Sequence, residues 1–354
     1  MISKEFFRAL EQVADERGIS KEKILDIFGK GLLNAYKKDF NGQQNAKVLF
    51  NEEKSEILIV ATYLVVEEID PEAEKGTQLT LEEALELKKT AKLGDLIEQR
   101  ITPKDFGRIA ASSAKQILTQ GLKQLERERN FEIFTKKTGE MIIAEVVQIN
   151  DDFVTLNCGY ETETSIPAKD LLVTDLFVGN QVRVYITKVE QTTKGPKVYV
   201  SRTDRNLVKR LMEHAIPELQ EGIVEIMGLA RDPGDRCKVC VSSNNPKVDP
   251  VGACLGKNGN RIKEVIDQLN GEKIDIYKHS TEPSELVSNA IQPAKTVAVI
   301  INHKDKSAIA IVPDDQLSLA IGKKGQNARL AVQSSGWKID IKSETDASIQ
   351  NIEF

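Results

Sequence analysis

Apolar residues recur at helical spacing at the start of the chain. Phe6, Phe7, Leu10, Val13 and Ala14 share one face of a helix behind Ser3, a residue suited to cap a helix start. A second helix follows Ser20, with Ile24, Ile27, Phe28, Leu32 and Ala35 in the same period. The pattern then changes to β-branched runs over 46–50 and 56–69, which read as strands. From Pro103 the run Lys-Asp-Phe-Gly-Arg-Ile-Ala-Ala-Ser-Ser-Ala returns to helical spacing as far as about Phe134, with the proline in the first turn. A helix of that length at the end of a domain is a natural spacer.

Between 139 and 202 the period becomes that of short strands, expected over 140–149, 153–157, 162–166, 181–190 and 197–201. Turn residues punctuate them: Asn150-Asp-Asp152, Cys158-Gly159, Gly179-Asn180 and Lys194-Gly-Pro196. Strands of this number and length fit a small closed barrel of the OB class, and an SH3-like barrel or a sandwich fragment accommodates the same pattern. Phe153, Tyr160, Arg183, Tyr185 and Lys188 offer the stacking and charged surface that OB folds turn toward single strands, or equally a set of half-buried barrel residues.

The last third of the chain is written twice. Leu255-Gly-Lys-Asn-Gly259 opens an apolar-faced helix with Ile262, Val265, Ile266 and Leu269, and then comes Lys273-Ile-Asp-Ile276. Ile321-Gly-Lys-Lys-Gly325 opens a helix with Ala328, Ala331 and Val332, and then comes Lys338-Ile-Asp-Ile341. With 22 glycines, a Gly-x-x-Gly pair arises about once per chain of this length by chance, so the shared register carries the signal. In this setting the glycines let a sugar-phosphate chain approach the backbone, and the helix N-terminus favours phosphate oxygens. Lys257, Lys323 and Lys324 add charge, and Asn258 lies inside the first turn. This is the arrangement of a KH unit, whose turn clamps four nucleotides of a single strand. Only a few residues separate the copies, so the two units are expected to pack as one rigid body. Trp337 is expected to pack between them.

Composition narrows the chemistry. Forty per cent apolar and 29% charged residues describe an ordinary globular chain, and a net charge of -5 excludes a protein coated in nucleic acid through one basic face. Any nucleic-acid contact is therefore local. No run of 18 apolar residues and no secretory signal occur, which points to a cytoplasmic protein without membrane contact. Cys158, Cys237, Cys240 and Cys254 are too scattered for a disulfide framework. Cys237 and Cys240 have the spacing of half a zinc site, but they sit in a strand pattern that points them to opposite faces, with no second ligand pair. His214, His279 and His303 are isolated. No metal and no cofactor is expected.

An enzymatic reading has little support. Gly252-Ala-Cys-Leu-Gly-Lys257 resembles a phosphate-binding loop but is one residue short between its glycines and lacks the following Ser or Thr. No nucleophile elbow and no paired histidines occur. The architecture expected from the pattern is multidomain α+β: a mixed N-terminal domain over 1–134 with a long helix, an OB-type barrel over 135–202, KH units over 203–279 and 280–346, and a tail over 347–354.

Long collinear phrases give the chain a closer resemblance. They include Asp105-Phe-Gly-Arg-Ile-Ala-Ala-Ser-Ser-Ala-Lys-Gln116, Ser201-Arg-Thr203, Ile216-Pro-Glu-Leu219 and Gly222-Ile-Val-Glu-Ile226. Further ones are Ala230-Arg-Asp-Pro-Gly-Asp-Arg236, Asp249-Pro-Val-Gly-Ala-Cys-Leu-Gly256, Asn289-Ala-Ile-Gln-Pro-Ala294 and the run from Pro313 to Ala331. Over nearly its whole length the chain resembles the NusA family of bacterial transcription factors. The resemblance implies an N-terminal domain that docks on core RNA polymerase near the RNA exit channel. It implies an S1-like OB barrel and two tandem KH domains on nascent RNA, modulating pausing, intrinsic termination and antitermination. A monomer that also meets other antitermination factors would follow. Carried over by position, the RNA clamps are Gly256, Lys257, Asn258 and Gly259 with Arg261 and Lys263, and Gly322, Lys323, Lys324 and Gly325 with Gln326, Asn327 and Arg329. The chain departs from the family pattern at Cys237 and Cys240 and at His214-Ala215 before Ile216. No acidic repeats follow Phe354, which on the same resemblance implies constitutively open RNA binding. Two rivals stand beside it: an RNA-processing enzyme with appended KH and OB modules, and a translation-associated RNA binder. Phosphorolytic exonucleases place the KH unit before the barrel, the reverse of the order here.

Overall fold

The computed structural model describes residues 7–8, 11–12, 14–15, 20–39, 45–51, 56–71, 73, 77–100, 106–173 and 175–350, in two units that meet in the sequence at Arg129 and Asn130. Ser3, Phe6, Leu10, Val13 and Pro103, assigned above to helix starts and faces, lie outside the described residues.

The first unit holds α1 (Lys21–Asp39), β1 (Ala46–Asn51), β2 (Glu56–Val66), β3 (Gln78–Thr80), α2 (Leu81–Leu87) and β4 (Leu96–Arg100). Strand β2 is its centre, antiparallel to β1 and β4 and parallel to β3. Its alternate residues Ile57, Ile59, Tyr63 and Val65 are buried, the period a one-sided sheet requires. Phe28, Leu32 and Tyr36, one face of α1, cover Ile57 and Ile59. The strand stops at Val66 and not at Ile69, because the acidic pair Glu67-Glu68 turns into a bend. Helix α3 (Phe106–Lys136) crosses α1 through two reciprocal glycines: Gly31 of α1 faces Ile117, and Gly121 of α3 faces Ile27. An added Cβ at either would collide with the opposing isoleucine.

The second unit begins with the end of α3, whose Phe134 is 1% exposed in the core of a barrel. That barrel comprises β5 (Met141–Ile149), β6 (Phe153–Asn157), β7 (Glu163–Pro167), α4 (Ala168–Leu171), β8 (Gln181–Thr192) and β9 (Gly195–Ser201). The strand order is β7-β6-β5-β8-β9, every pair antiparallel. Register shifts at Val146/Gln148 and Ile186/Lys188 bend β5 and β8, which brings β7 back to β9, where Thr164 Oγ1 donates to Val198 O at 2.5 Å. The result is an OB-type barrel filled by Val146, Val154, Leu156, Val184, Ile186 and Val198.

Two mixed modules of the same topology follow. The first contains α5 (Arg205–Ala215), α6 (Pro217–Gln220), β10 (Val224–Asp232), β11 (Arg236–Ser243), α7 (Pro250–Leu255), α8 (Asn260–Gln268) and β12 (Lys273–Lys278). The second contains α9 (Pro283–Ile291), β13 (Ala298–Asn302), β14 (Ser307–Val312), α10 (Leu317–Ile321), α11 (Gln326–Ser335) and β15 (Lys338–Ser343). In each the middle strand pairs antiparallel with the strand before it and parallel with the last one. Where a tail was expected, α12 (Glu344–Ile349) forms on the cap of Ser343 Oγ and buries Ala347 against the second module.

Strand β11 is buried on both faces. Cys237, Val239 and Val241 join the first module's core, while Cys240 packs with Tyr277, Leu286, Ala290 and Ala331 against the second. The two cysteines thus lie on opposite faces, as their spacing requires. Helix α11 approaches β10 so closely that a Cβ on Gly228 would collide with the Ser334 carbonyl, and Tyr277 OH donates to Ser334 Oγ at 2.9 Å. Trp337 packs on both the second module's core and this intermodule cluster. No described helix is long and apolar enough to cross a membrane.

The same interface buries a charge. Lys238, 1% exposed, donates Nζ to Gln292 O at 2.6 Å, with Asp275 3.9 Å away. Burial pulls its pKa from 10.5 down to about 8, against the opposing pull of Asp275. Between those values the unfolded chain holds a proton that the folded chain has released, so this group makes stability rise as pH climbs from about 8 to 10.5. Urea unfolding across that window should show the rise in the native chain and a smaller one in the Lys238→Met variant.

Candidate nucleic-acid interface

Helix α7 starts where Asp249 Oδ2 accepts from Gly252 N at 2.9 Å and Pro250 occupies the first turn. It stops at Gly256, and α8 starts on Gly259. The second module repeats this between α10 and α11. The backbone angles nearly coincide: Gly256 has φ 70°, ψ -178° and Gly322 has φ 75°, ψ 173°. Asn258 (55°, 27°) matches Lys324 (51°, 32°), and Gly259 (72°, 14°) matches Gly325 (74°, 16°). Gly259 N donates to Gly256 O at 3.2 Å, and Gly325 N donates to Gly322 O at 3.1 Å. Left-handed backbone at a lysine is costly, and it is held at Lys324 by the surrounding turn.

The two glycines of each turn do different work. An added Cβ on Gly256 would lie 2.7 Å from Arg261 Cγ, and one on Gly322 would lie 2.8 Å from Asn327 N. At Gly259 and Gly325 it would meet no atom within 4 Å, so only the left-handed backbone calls for glycine there and the space in front is open to a ligand. Lys257, Asn258, Lys263, Lys323 and Lys324 are exposed beside that space. The aliphatic residue ahead of each turn is exposed to the same degree, Leu255 at 38% and Ile321 at 37%, which pairs an apolar edge with each cationic turn. A cavity of about 490 Å³ adjoins the second turn, with Gly322, Lys323, Leu319 and Gln326 on one side and Asp235, Arg236 and Lys273 of the first module on the other.

Four residues assigned above to the clamps have partners within the protein. Arg261 and Asn327 hold the same place after their turns. Arg261 NH1 donates to Ala253 O and to Glu218 Oε2, both at 2.8 Å. Asn327, 5% exposed, donates Nδ2 to Ala320 O and Ile291 O, both at 2.9 Å. Each side chain therefore satisfies a carbonyl at the end of the preceding helix and ties the two helices across the turn, which takes Asn327 away from any ligand. Gln326 Nε2 donates to Asp232 and Asp235 at 2.8 and 2.7 Å, and Arg329 pairs with Asp232 at 2.8 Å. The run after the second turn looks basic and amidated in sequence, but folding spends these groups on the neighbouring module.

The barrel residues do not form one surface. Phe153 starts β6 and Tyr160 lies in the turn that follows it, so the two exposed rings sit at opposite ends of the β6–β7 hairpin with the length of β6, about 13 Å, between them. Tyr160 leans on the end of α3, its ring 6.0 Å from Phe134 and its carbonyl accepting from Asn130 at 2.8 Å. Arg183 lies on the side where Tyr185 packs against the first module's core and Arg202 NH1 donates to Arg183 O at 2.7 Å. Lys188 pairs with Glu190 at 2.5 Å. Among the described residues no cluster of His, Cys, Asp or Glu is placed to hold a metal ion. All four cysteines are free and buried, and burial pushes Cys158 and Cys240 up to about 11.

Arg236, Lys273, Asp232 and Asp235 escaped the sequence reading. A signal existed for Lys273, since its counterpart Lys338 recurs in the second copy. The others sit on the β10–β11 turn, which the repeat does not share.

Comparison with known proteins bears on the whole chain. Residues 5–128 match the NusA N-terminal domain, 202–279 the NusA-like first KH domain and 283–349 the NusA-like second KH domain. The transcription termination/antitermination protein NusA of Bacillus subtilis is 43% identical over 98% of this chain and 92% of its own length. Its counterpart in Halalkalibacterium halodurans is 42% identical over 98% and 90%, and that in Thermus thermophilus 37% over 96% and 89%. The chain belongs to the NusA family. The repeated modules are accordingly the two NusA-type KH domains, and the barrel fills the stretch between the first of them and the NusA N-terminal domain.

The different surroundings of the glycines make an internal control. Gly256→Ala and Gly322→Ala should each lower stability by about 1–3 kcal/mol, since clash adds to backbone strain. Gly259→Ala and Gly325→Ala should cost about 1 kcal/mol, from strain alone. Guanidinium unfolding of the four variants checks the order.

Proposed function

We propose that this chain is an RNA-binding, non-enzymatic transcription factor of termination and antitermination that docks on core RNA polymerase and holds nascent single-stranded RNA in its two KH turns. Membership of a family whose members are named transcription termination/antitermination proteins supports this, as do two KH domains. The observation that carries the RNA contact is the near identity of the two turns, six backbone angle pairs agreeing within about 10° beside exposed lysines. The chemistry is that of a clamp, with lysine ammonium groups and the N-termini of α8 and α11 set against backbone phosphates and no base-specific demand from the turn itself. The clamp set is narrower than the family pattern gives: Gly256, Lys257, Asn258 and Gly259 with Lys263, and Gly322, Lys323, Lys324 and Gly325.

The domain over 1–134 is assigned to polymerase, and the KH pair over 203–346 to RNA; other antitermination factors are further partners of the assembly. The factor acts from the cytoplasm as a monomer, its grip on the emerging transcript altering pausing and release.

Replacing Lys257, Asn258, Lys323 and Lys324 with aspartate should abolish binding of single-stranded RNA without changing the thermal unfolding temperature. Each lysine that no longer neutralises a phosphate should lower the salt slope of log K by about 0.7. Unchanged affinity in a fluorescence titration would remove the clamp assignment. Polymerase docking has its own test: the full chain should retain core polymerase in a pull-down, and failure to do so would favour a translation-associated RNA binder.

A further inference from the structure

The two KH turns share a backbone, but the residues behind them differ in duty. In the first domain the positions one and four residues past the turn are Asn260 and Lys263, both exposed. In the second they are Gln326 and Arg329, and both reach across to the β10–β11 turn of the first domain. Gln326 Nε2 lies 2.8 Å from Asp232 Oδ2 and 2.7 Å from Asp235 Oδ2, and Arg329 NH2 lies 2.8 Å from Asp232 Oδ2. Two carboxylates of one domain thus receive three bonds from the first turn of the other domain's RNA-facing helix.

We propose that Asp232 and Asp235 are positioning residues for RNA binding: they latch the second glycine turn to the first domain and fix the spacing of the two clamps along one RNA strand. The inference rests on the reading of both turns as clamps. Helix α11 is about 15 Å long and is already pinned at its far end by the close approach of Ser334 to Gly228 and the Tyr277–Ser334 bond. With the latch removed, the near end keeps only its indirect polar tie to the first domain, through Asn327 on Ile291 O and Lys238 on the adjoining Gln292 O, and a swing of about 10° about that pivot carries the turn about 2.5 Å, more than a positioned site tolerates. A single exposed ion pair would contribute little, and Arg329 is 51% exposed. Here one turn receives three bonds, and Gln326 is only half-exposed.

The spacing of the clamps matters through effective concentration. Once one turn holds a strand, the second binds the same strand at a local concentration set by their separation, and a wandering second turn loses that advantage. The latch therefore acts on RNA long enough to span both turns, and not on the grip of either turn alone. A local role for Gln326 and Arg329 as RNA contacts would weaken the second turn whatever the state of the first.

A double-mutant cycle separates these cases. Fluorescein-labelled random-sequence RNA of about twelve nucleotides is titrated against the full chain carrying Asp232→Asn with Asp235→Asn, in the native background and in one whose first turn carries Lys257→Asp and Asn258→Asp. The latch variant should bind about tenfold more weakly in the native background and less than twofold more weakly in the other. Exchange of the pair, Asp232→Arg with Arg329→Asp, should recover most of the loss seen with Arg329→Asp alone. Equal losses in both backgrounds, or no recovery on exchange, would overturn the latch and leave the clamps standing. If the first-turn substitutions themselves change nothing, the clamp reading falls and the latch falls with it.

Discussion

Glu272 keeps none of its side chain in contact with water, and folding can withdraw that carboxylate only by replacing its hydration with protein donors. Four are supplied. Arg231 gives two parallel bonds of 2.9 Å, Gly234 N gives one of 2.9 Å, and the Cys237 thiol approaches at 2.5 Å. Burial, and then the nearby carboxylate, push that thiol far above its ordinary pKa, so it stays a protonated donor. Arg231 itself is 3% exposed and uses its remaining nitrogen on Asp204 O at 2.6 Å, the residue that caps α5. The end of β10, the hairpin turn, the start of β11, the approach to β12 and the entry to the first KH domain thus converge on one ion pair. Attraction largely offsets desolvation in such a pair, so its contribution lies in geometry, and removal of one partner would cost about 3–5 kcal/mol. Asp232 is the next residue along the chain, so the carboxylate that holds Gln326 and Arg329 is aimed by a hairpin fixed from within.

The two KH domains show which parts of a repeat a fold holds constant and which it releases. Backbone angles at the turns are held, because both must join two helices in four residues. The strut at the second position past the turn is held in function though not in kind, since Arg261 and Asn327 both donate to a carbonyl at the end of the preceding helix. The positions beside it are released. Asn260 and Lys263 remain exposed, whereas Gln326 and Arg329 are recruited to the domain interface. Divergence of equivalent positions is expected wherever a tandem repeat packs head to tail, because only one copy meets the other through that face.

Most of the architecture was legible from periodicity. The barrel strands fall within two residues or so of the hydrophobic alternation that announced them, and the matched register of Gly-x-x-Gly and Lys-Ile-Asp-Ile placed both turns. The site was legible only in part, for a physical reason. A glycine turn is a local event, written in consecutive residues. Whether Gln326 and Arg329 find partners in the protein depends on a hairpin some 90 residues earlier in the chain, and no local pattern encodes that. The barrel behaves similarly: Phe153 and Tyr160 are close in sequence but lie at opposite ends of the β6–β7 hairpin, and Arg183 lies on the face taken by the first KH domain.

Charge placement resolves the conflict between an acidic chain and an RNA-facing surface. With 54 acidic against 49 basic residues, unspecific attraction to RNA is weak, and long-range repulsion acts on any strand that approaches away from the turns. Near the turns several acidic residues are held by partners within the protein. Glu272 is sealed beneath Arg231, Glu218 holds Arg261, Asp275 holds Arg236, and Asp232 and Asp235 receive Gln326 and Arg329. Each of these carboxylates has a donor within the protein, a cation for all but Asp235, and Lys257, Lys323 and Lys324 stand exposed on the two loops. The acidic background and the internal pairing act together: the first disfavours contact elsewhere, and the second lessens the opposition of nearby carboxylates to the lysines of the two turns.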